Sequence, residues 1–192
     1  DFDFTGGSSP GTGGNCAASL AGGASCTFFI DFAPTALGAR AATITFNYFD
    51  GFATQNEAHD FQGTGGAPAT LSISDGPTYD YLDQAIGSST PYIFTVTNGG
   101  AVPATGIIDG GTLAAPFTFT GGAYPGDNGT CGATLAAAAT CDIEVAYEPS
   151  GAGVSTDTIT LSYNDGITTS VTQRHFCCSN FVAVNNSKTF SS

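Results

Sequence analysis

The 192-residue chain carries a formal net charge of −13, and its only basic residues are Arg40, Arg174 and Lys188. Because phosphate binding needs a basic surface, we expect no nucleic-acid partner. No stretch of the sequence is long and apolar enough to cross a bilayer, so we also expect no membrane insertion. Glycine is abundant (27 residues) and charged residues make up only 10% of the chain, which favours a secreted all-β protein with many turns.

Residues 1–61 are predicted to form short strands that bury one face. Apolar and polar residues alternate with period two at the start of the chain, over residues 26–32 and over residues 43–48, and this is the pattern of a half-buried strand. The Gly/Ser/Pro-rich segment after the first strand is predicted to be a loop. Asp50 and Gly51 predict a hairpin turn, because glycine tolerates the positive φ that such turns require.

Residues 62–68 form the predicted linker, and residues 69–176 form a complete module. Alternating strands are expected around Leu71, Tyr92 and Thr105, with further strands from Phe117 onward. The module thus holds seven or eight short strands in roughly 110 residues and shows no sustained helical period. This arrangement predicts an antiparallel β-sandwich of the immunoglobulin-like type.

The end of this module repeats the beginning of the chain. A shift of 115 residues places residues 2–61 on residues 117–176 without a gap, and 24 of these 60 positions are identical. An internal repeat of this length indicates two copies of one fold. We therefore predict tandem immunoglobulin-like sandwiches, in which residues 1–61 are the C-terminal part of an incomplete first module. Residues 177–192 follow the second module as a tail.

Four of the six cysteines fall at equivalent positions of the repeat. Cys16 with Cys26, and Cys131 with Cys141, share a ten-residue spacing, which predicts one disulfide in each module. A zinc site would need clustered Cys or His ligands, and these pairs have none nearby. Disulfides indicate an oxidising compartment, so we expect a secreted protein that is extracellular or attached to a cell surface.

Cys177 and Cys178 follow each other directly and lie outside the repeat. Neighbouring cysteines rarely bridge each other, because the geometry between adjacent residues is strained. We predict that they form intermolecular disulfides. A bridge to a segment outside this sequence is the alternative.

The repeated segment also carries a recognisable set of motifs. They are Phe-Thr-Gly-Gly, Pro-Gly, Gly-Thr-Cys-Gly, Leu-Ala-Ala and Thr-Cys, followed by Leu-Ser-Tyr-Asn-Asp-Gly at the hairpin. They resemble the bacterial choice-of-anchor D repeats, which belong to the wider class of immunoglobulin-like ASPM–SPD-2–Hydin (ASH) domains. The resemblance covers about residues 1–176. It implies extracellular, repeat-bearing proteins whose domains act as spacers or adhesive modules and share no catalytic activity.

Residues suited to catalysis or metal binding are sparse. His59 and His175 are the only histidines, they are not equivalent in the repeat, and no nucleophile motif accompanies them. We therefore predict that the protein is not an enzyme. Asp50 and Asp165 are equivalent, and a role in turns explains both, although a Ca²⁺ site built from turn carboxylates and carbonyls is the alternative. We otherwise predict no cofactor and no metal.

The incomplete first module predicts self-association. A sandwich that lacks its front half exposes strand edges and half a core, and another strand must cover them. The strand-prone tail residues Phe181, Val182, Ala183 and Val184 are the predicted donor. Strand addition from one copy to the next gives a head-to-tail homopolymer.

These features together predict a non-enzymatic extracellular structural protein, a subunit or segment of a bacterial surface fibre, filament or adhesin. The alternative function is a ligand- or carbohydrate-binding accessory module of a large secreted protein. Phe29, Phe49 and Phe52 are the outward-facing aromatic candidates for that alternative, because sugars stack on exposed rings. The equivalent residues of the second copy are not aromatic, and this weakens the case for a binding module.

Overall fold

The computed structural model describes residues 1–180, which form two compact units divided between Ala67 and Pro68. Residues 1–67 are referred to as unit 1, and the chain from Pro68 onward as unit 2. The strands of unit 1 are β1 (Phe2–Phe4), β2 (Ile30–Phe32), β3 (Gly38–Phe49) and β4 (Thr54–Gly65). Those of unit 2 are β5 (Leu71–Ile73), β6 (Thr78–Asp80), β7 (Thr90–Asn98), β8 (Ala104–Asp109), β9 (Phe117–Phe119), β10 (Thr134–Leu135), β11 (Thr140–Tyr147), β12 (Gly153–Asn164) and β13 (Thr169–Asn180). A 3-10 turn, Thr120–Gly122, follows β9. Within the described residues, no helix is long and apolar enough to cross a membrane.

Unit 2 is a sandwich of two sheets, with strand orders β10-β8-β12-β13-β6 and β5-β7-β11-β9. Neighbouring strands are antiparallel except β6, which lies parallel to β13. Alternate residues of each strand point inward, so that Ile159, Leu161 and Tyr163 of β12 are buried. The inner faces of both sheets enclose one aliphatic and aromatic core. The predicted all-β, immunoglobulin-like sandwich is confirmed.

Unit 1 contains the back part of the same sandwich. β1 pairs with β2, and β3 pairs with β4, as two separate two-stranded sheets. Phe4 pairs with Ile30 as the equivalent Phe119 pairs with Val145. All twelve pairs of the β3–β4 hairpin are likewise in the register of the β12–β13 hairpin. The first module is therefore incomplete, as the internal repeat predicts.

Two strand ends lie beyond the predicted boundaries. β4 continues to Gly65, inside the predicted linker, because Gly65 still pairs with Gly38. β13 continues to Asn180, inside the predicted tail, because Asn180 still pairs with Gly153. The predicted strand donor, residues 181–184, lies outside the described residues.

Candidate functional site

The inner face of unit 1 is open to solvent, whereas the same face of unit 2 is closed. In unit 2, Phe117 is 2% exposed and Phe176 is 1% exposed. Their equivalents in unit 1, Phe2 and Phe61, are half-buried. The structure describes all of unit 1, and it buries two glycines there and no apolar side chain. Unit 1 therefore presents one half of a core without the other half.

The cause is that residues 1–67 contain no counterparts of β5, β6, β7 and β8. In unit 2, β7 pairs with β11, β8 pairs with β12, and β6 pairs with β13. The equivalent strands of unit 1, β2, β3 and β4, each lack that neighbour. Such an edge offers backbone N–H and C=O groups to another chain.

β2 is shorter than its equivalent β11, because unit 1 has no strand that corresponds to β7. β11 has eight residues, and its first half pairs only with β7. Without a counterpart of β7, residues 25–29 form no ladder, and only Ile30–Phe32, which pairs with β1, remains a strand. The strand predicted over residues 26–32 is therefore too long. The alternating pattern is present, but a strand also needs a hydrogen-bonding neighbour.

Aromatic rings line the open face of unit 1. Phe2 stacks on Phe32 with ring centroids 4.5 Å apart, and the ring centroids of Phe28 and Phe46 are 4.8 Å apart. Beside Phe28 and Phe46 lies a groove of about 1120 Å³ that is also lined by Leu20 and by the disulfide of unit 1. A groove of mixed polarity with aromatic rings on one wall, next to an open strand edge, is suited to the side chains of an added strand.

Each unit contains one disulfide. The bonded pairs are Cys16 with Cys26 in unit 1 and Cys131 with Cys141 in unit 2. The enclosed loops have a left-handed residue at the same position, Gly23 with φ +78° and Ala138 with φ +57°. The loop of unit 1 thus keeps this turn although the strands that cover its equivalent are missing. Two disulfides fit an oxidising compartment.

Asn98, at the end of β7, joins β7 to the disulfide loop of unit 2. It is fully buried. Its side-chain amide donates hydrogen bonds to the carbonyl oxygens of Leu135 and Ala136, each at 3.2 Å, and of Val102 at 3.0 Å. Its Oδ1 accepts from the backbone N–H of Gly100 at 2.9 Å. Sequence analysis missed this role, because an Asn before two glycines indicates only a turn.

Glu144 is a second polar residue that sequence analysis missed. It is 6% exposed and accepts hydrogen bonds from the Thr120 hydroxyl at 2.5 Å and from the Asn128 backbone N–H at 3.1 Å. The Thr120 and Asn128 side-chain hydrogen bonds hold the pKa of Glu144 below its usual value. These contacts close the loop between β9 and the disulfide. The equivalent residue in unit 1 is Phe29, which is 49% exposed.

The two adjacent cysteines have different surroundings. Cys178 is 1% exposed, its thiol lies 3.6 Å from the carbonyl oxygen of Ser155, and Tyr147 hydrogen-bonds to it. Burial raises the pKa of the Cys178 thiol. An intermolecular disulfide at Cys178 is not compatible with this enclosed position in the folded unit. Cys177 points to the other side of β13 and is half-buried, so a disulfide there stays a prediction.

The other residues considered from sequence have structural partners. His175 Nδ1 lies 2.7 Å from the hydroxyl of Thr158, its neighbour across β12 and β13. Asp50 and Asp165 each accept two backbone hydrogen bonds inside a hairpin turn. Among residues 1–180, no group of three or more His, Cys, Asp or Glu side chains is placed to hold a metal ion.

Comparisons with known proteins give distant likenesses. No protein-family model matches this chain. No curated protein matches it. Among solved structures, the chain is similar to the VesB protease of Vibrio cholerae, at 19% identity over 57% of this chain, with a TM-score of 0.46. It spans 32% of the length of that protease structure.

Two further structures are similar at comparable levels. One is an ASH/PapD-like domain of human CEP192, PapD-like domain 7, at 12% identity over 60% of this chain and 88% of that domain, with a TM-score of 0.43. The other is a protein of unknown function from Porphyromonas gingivalis W83, at 11% identity over 76% of this chain and 67% of the other, with a TM-score of 0.44. Because all three scores are low, the fold assignment rests on the strand order and pairing described above.

Proposed function

We propose that this protein is a non-enzymatic, extracellular structural protein, a subunit or segment of a surface fibre or adhesin. In this proposal, copies assemble head to tail by β-strand addition. The part of the tail that begins at Phe181 in one copy pairs with the open edge of β2 in the next copy. The observation that carries the proposal is the half-core of unit 1, whose equivalents in unit 2 are buried by strands that unit 1 lacks.

Strand addition supplies one of the strands that unit 1 lacks, the neighbour of β2 that corresponds to β7. The open edge of β2 needs backbone hydrogen bonds, and the groove beside Phe28 and Phe46 needs apolar side chains. A single added strand provides both. The segment after Asn180 has 12 residues, which is longer than the nine residues of β7 in unit 2.

The charges of the two segments are also complementary. Unit 1 carries six acidic side chains and one arginine. The tail has no acidic side chain, and Lys188 is its only charged residue. The tail therefore adds no like-charge repulsion when it approaches unit 1, and its lysine is attracted.

Removal of the tail tests this function. We expect the full chain to form filaments with a subunit-sized axial repeat in electron micrographs, and a chain ending at Asn180 to sediment as a monomer. A full chain with Cys177→Ser is the control, since it keeps residues 181–192 and loses the half-buried thiol of Cys177. Filaments that persist without residues 181–192, or a full chain that stays dispersed at all concentrations, would contradict the proposal.

A ligand-binding accessory module is the second candidate, and one observation favours it. Phe49 and Phe52 at the β3–β4 turn are 68% and 94% exposed, and Phe29 is 49% exposed. Exposed rings are suited to stacking on sugars. If this function is correct, a monomeric chain binds soluble polysaccharides in affinity electrophoresis, and Phe49→Ala with Phe52→Ala abolishes the shift.

A further inference from the structure

β7 of unit 2 provides a template for the strand that unit 1 lacks. Phe94, Val96 and Asn98 of β7 are all fully buried, and they alternate with more exposed residues. Phe94 pairs with Ile143 of β11, and Val96 pairs with Cys141. The backbone N–H of Asn98 continues the ladder by donating to the carbonyl oxygen of Ala139 at 3.0 Å. A strand in this place therefore needs a large apolar residue, a small apolar residue and an asparagine at alternate positions.

The acceptor groups of unit 1 follow from the repeat. Phe28 is equivalent to Ile143, and Cys26 is equivalent to Cys141. The carbonyl groups equivalent to those that Asn98 binds in the disulfide loop belong to Leu20 and Ala21. Leu20 is 56% exposed and lines the groove of unit 1, whereas its equivalent Leu135 is 5% exposed. Two of the three carbonyls that bind the Asn98 amide, those of Leu135 and Ala136, thus have counterparts in unit 1, whereas Val102 has none.

The tail has the required residues at the required spacing. Its first five residues place Phe181, Ala183 and Asn185 at alternate positions, as β7 places Phe94, Val96 and Asn98. The intervening residues are Val182 and Val184, where β7 has two threonines, and β-branched residues favour strands at both places. We propose that the tail pairs antiparallel with residues 25–28 of the next copy, in the register of β7. This proposal rests on the proposed head-to-tail assembly. Phe181 then lies opposite Phe28, and the Asn185 side chain donates to the Leu20 and Ala21 carbonyls.

A register shifted by one residue is the main competitor. It would direct Val182, Val184 and Asn186 inward and would place Phe181 on the outer face. Phe94 is the largest core residue of β7, and its ring lies 6.1 Å from that of Phe176. Only the first register provides an aromatic ring at that position, where it would meet Phe61 of the acceptor. The first register is therefore favoured by core packing.

Engineered disulfides distinguish the two registers. In the first register Val182 lies opposite Thr27, as Thr95 lies opposite Asp142, and the Thr95 hydroxyl donates to the Asp142 carboxylate at 3.0 Å. Thr27→Cys with Val182→Cys, in a full chain that also carries Cys177→Ser, should form a ladder of disulfide-linked oligomers on a non-reducing gel. Thr27→Cys with Ala183→Cys is the matched control, and it should give at least about tenfold less cross-linking, because a one-residue shift turns the side chain to the other face.

Peptide mapping by mass spectrometry then locates the bridges, with Cys16–Cys26 required to remain intact. A ladder with Val182→Cys and none with Ala183→Cys supports the register. The reverse pattern overturns the register while leaving strand addition in place. Filaments without a cross-link in either variant also overturn the register. Monomers in all variants, together with a monomeric parent chain, overturn the proposed function itself.

The asparagine gives an independent measurement without added cysteines. Asn185→Ala removes the side-chain donors, so we expect the critical concentration for assembly of the full chain to rise about tenfold. Asn186→Ala is the matched control, because Asn186 faces outward in the proposed register, and it should leave that concentration unchanged. Equal effects of the two substitutions, or a larger effect of Asn186→Ala, would contradict the assigned role of Asn185.

Discussion

Phe61 and Phe176 occupy the same position in two copies of one strand, yet only Phe176 is buried. The ring of Phe176 lies 4.6 Å from that of Phe117 and 6.1 Å from those of Tyr81 and Phe94. Tyr81 and Phe94 belong to the front half of the sandwich, which unit 1 lacks. Equivalent sequence therefore gives equivalent pairing in the two units but a very different degree of burial.

The difference separates local from non-local determinants of this fold. The β3–β4 hairpin, its turn and the disulfide loop have the same register and turn geometry in both units. Those features depend on residues close in sequence. The core depends on strands that pair across long separations, and it is absent wherever those strands are absent. Unit 1 thus shows which parts of the sandwich form without a completed core.

The largest expected contrast between the two units is in the free energy of unfolding that is lost when Phe176 or its equivalent Phe61 is replaced by alanine. Phe176→Ala should lower the free energy of unfolding of unit 2 by about 3–5 kcal/mol, because it empties a closed core. Phe61→Ala should cost less than about 1 kcal/mol, because its surroundings are already open. Denaturant unfolding of a chain ending at Asn180 measures both effects without assembly. Equal losses for the two substitutions would show that unit 1 has a closed core in solution.

A smaller contrast is expected in the response to acid. Hydrogen bonds from the Thr168 and Ile167 N–H groups, and from Ser170, lower the pKa of Asp165, and bonds from Ala53, Phe52 and Gln55 likewise lower the pKa of Asp50. A lowered pKa in the folded state means that the stabilisation is complete above the ordinary Asp pKa, about 4, and is lost as the pH falls through the lowered value. Both hairpins should therefore weaken together below about pH 4.

The loop closed by Glu144 should respond to acid in unit 2 only. Protonation of Glu144 below its usual pKa weakens its hydrogen bonds to Thr120 and Asn128, and Phe29 in unit 1 has nothing to titrate. Hydrogen exchange at the Asn128 amide should accelerate on acidification relative to the intrinsic rate, and Glu144→Gln should remove this pH dependence. The expectation fails if the loop of unit 1 near Gly13 shows the same titration.

The smallest expected effect concerns the chemical reactivity of the two thiols. Iodoacetamide should label Cys177 in the native full chain and should label Cys178 only after unfolding, since Cys178 is enclosed and burial raises its pKa. Mass spectrometry of the labelled peptides measures both sites. Cys177→Ser should remove any disulfide-linked dimers of the native chain, whereas Cys178→Ser should leave them. Rapid labelling of Cys178 in the native chain would contradict the enclosed position.

The sequence by itself determined the features that repeat and alternate. The 115-residue repeat placed the two modules and their cysteine pairs, and period-two alternation placed β3, β7 and β12 and the face of each that points inward. The hairpin turns at Asp50 and Asp165 were predictable because an Asp followed by Gly satisfies the turn locally. Each of these signals can be recognised from a few neighbouring residues or from the repeat itself.

The tertiary structure decided how far each strand extends and which polar residues are buried. β2 ends up short because its neighbour is missing, and β13 runs to Asn180 because β12 is long enough to pair with it. Asn98 and Glu144 look like surface residues in the sequence, but their partners lie in loops that pairing and the disulfide bring beside them. Hydrogen bonds and burial between distant segments have no local pattern. The repeat therefore predicted that unit 1 is open, and only the structure shows which residues line its open face.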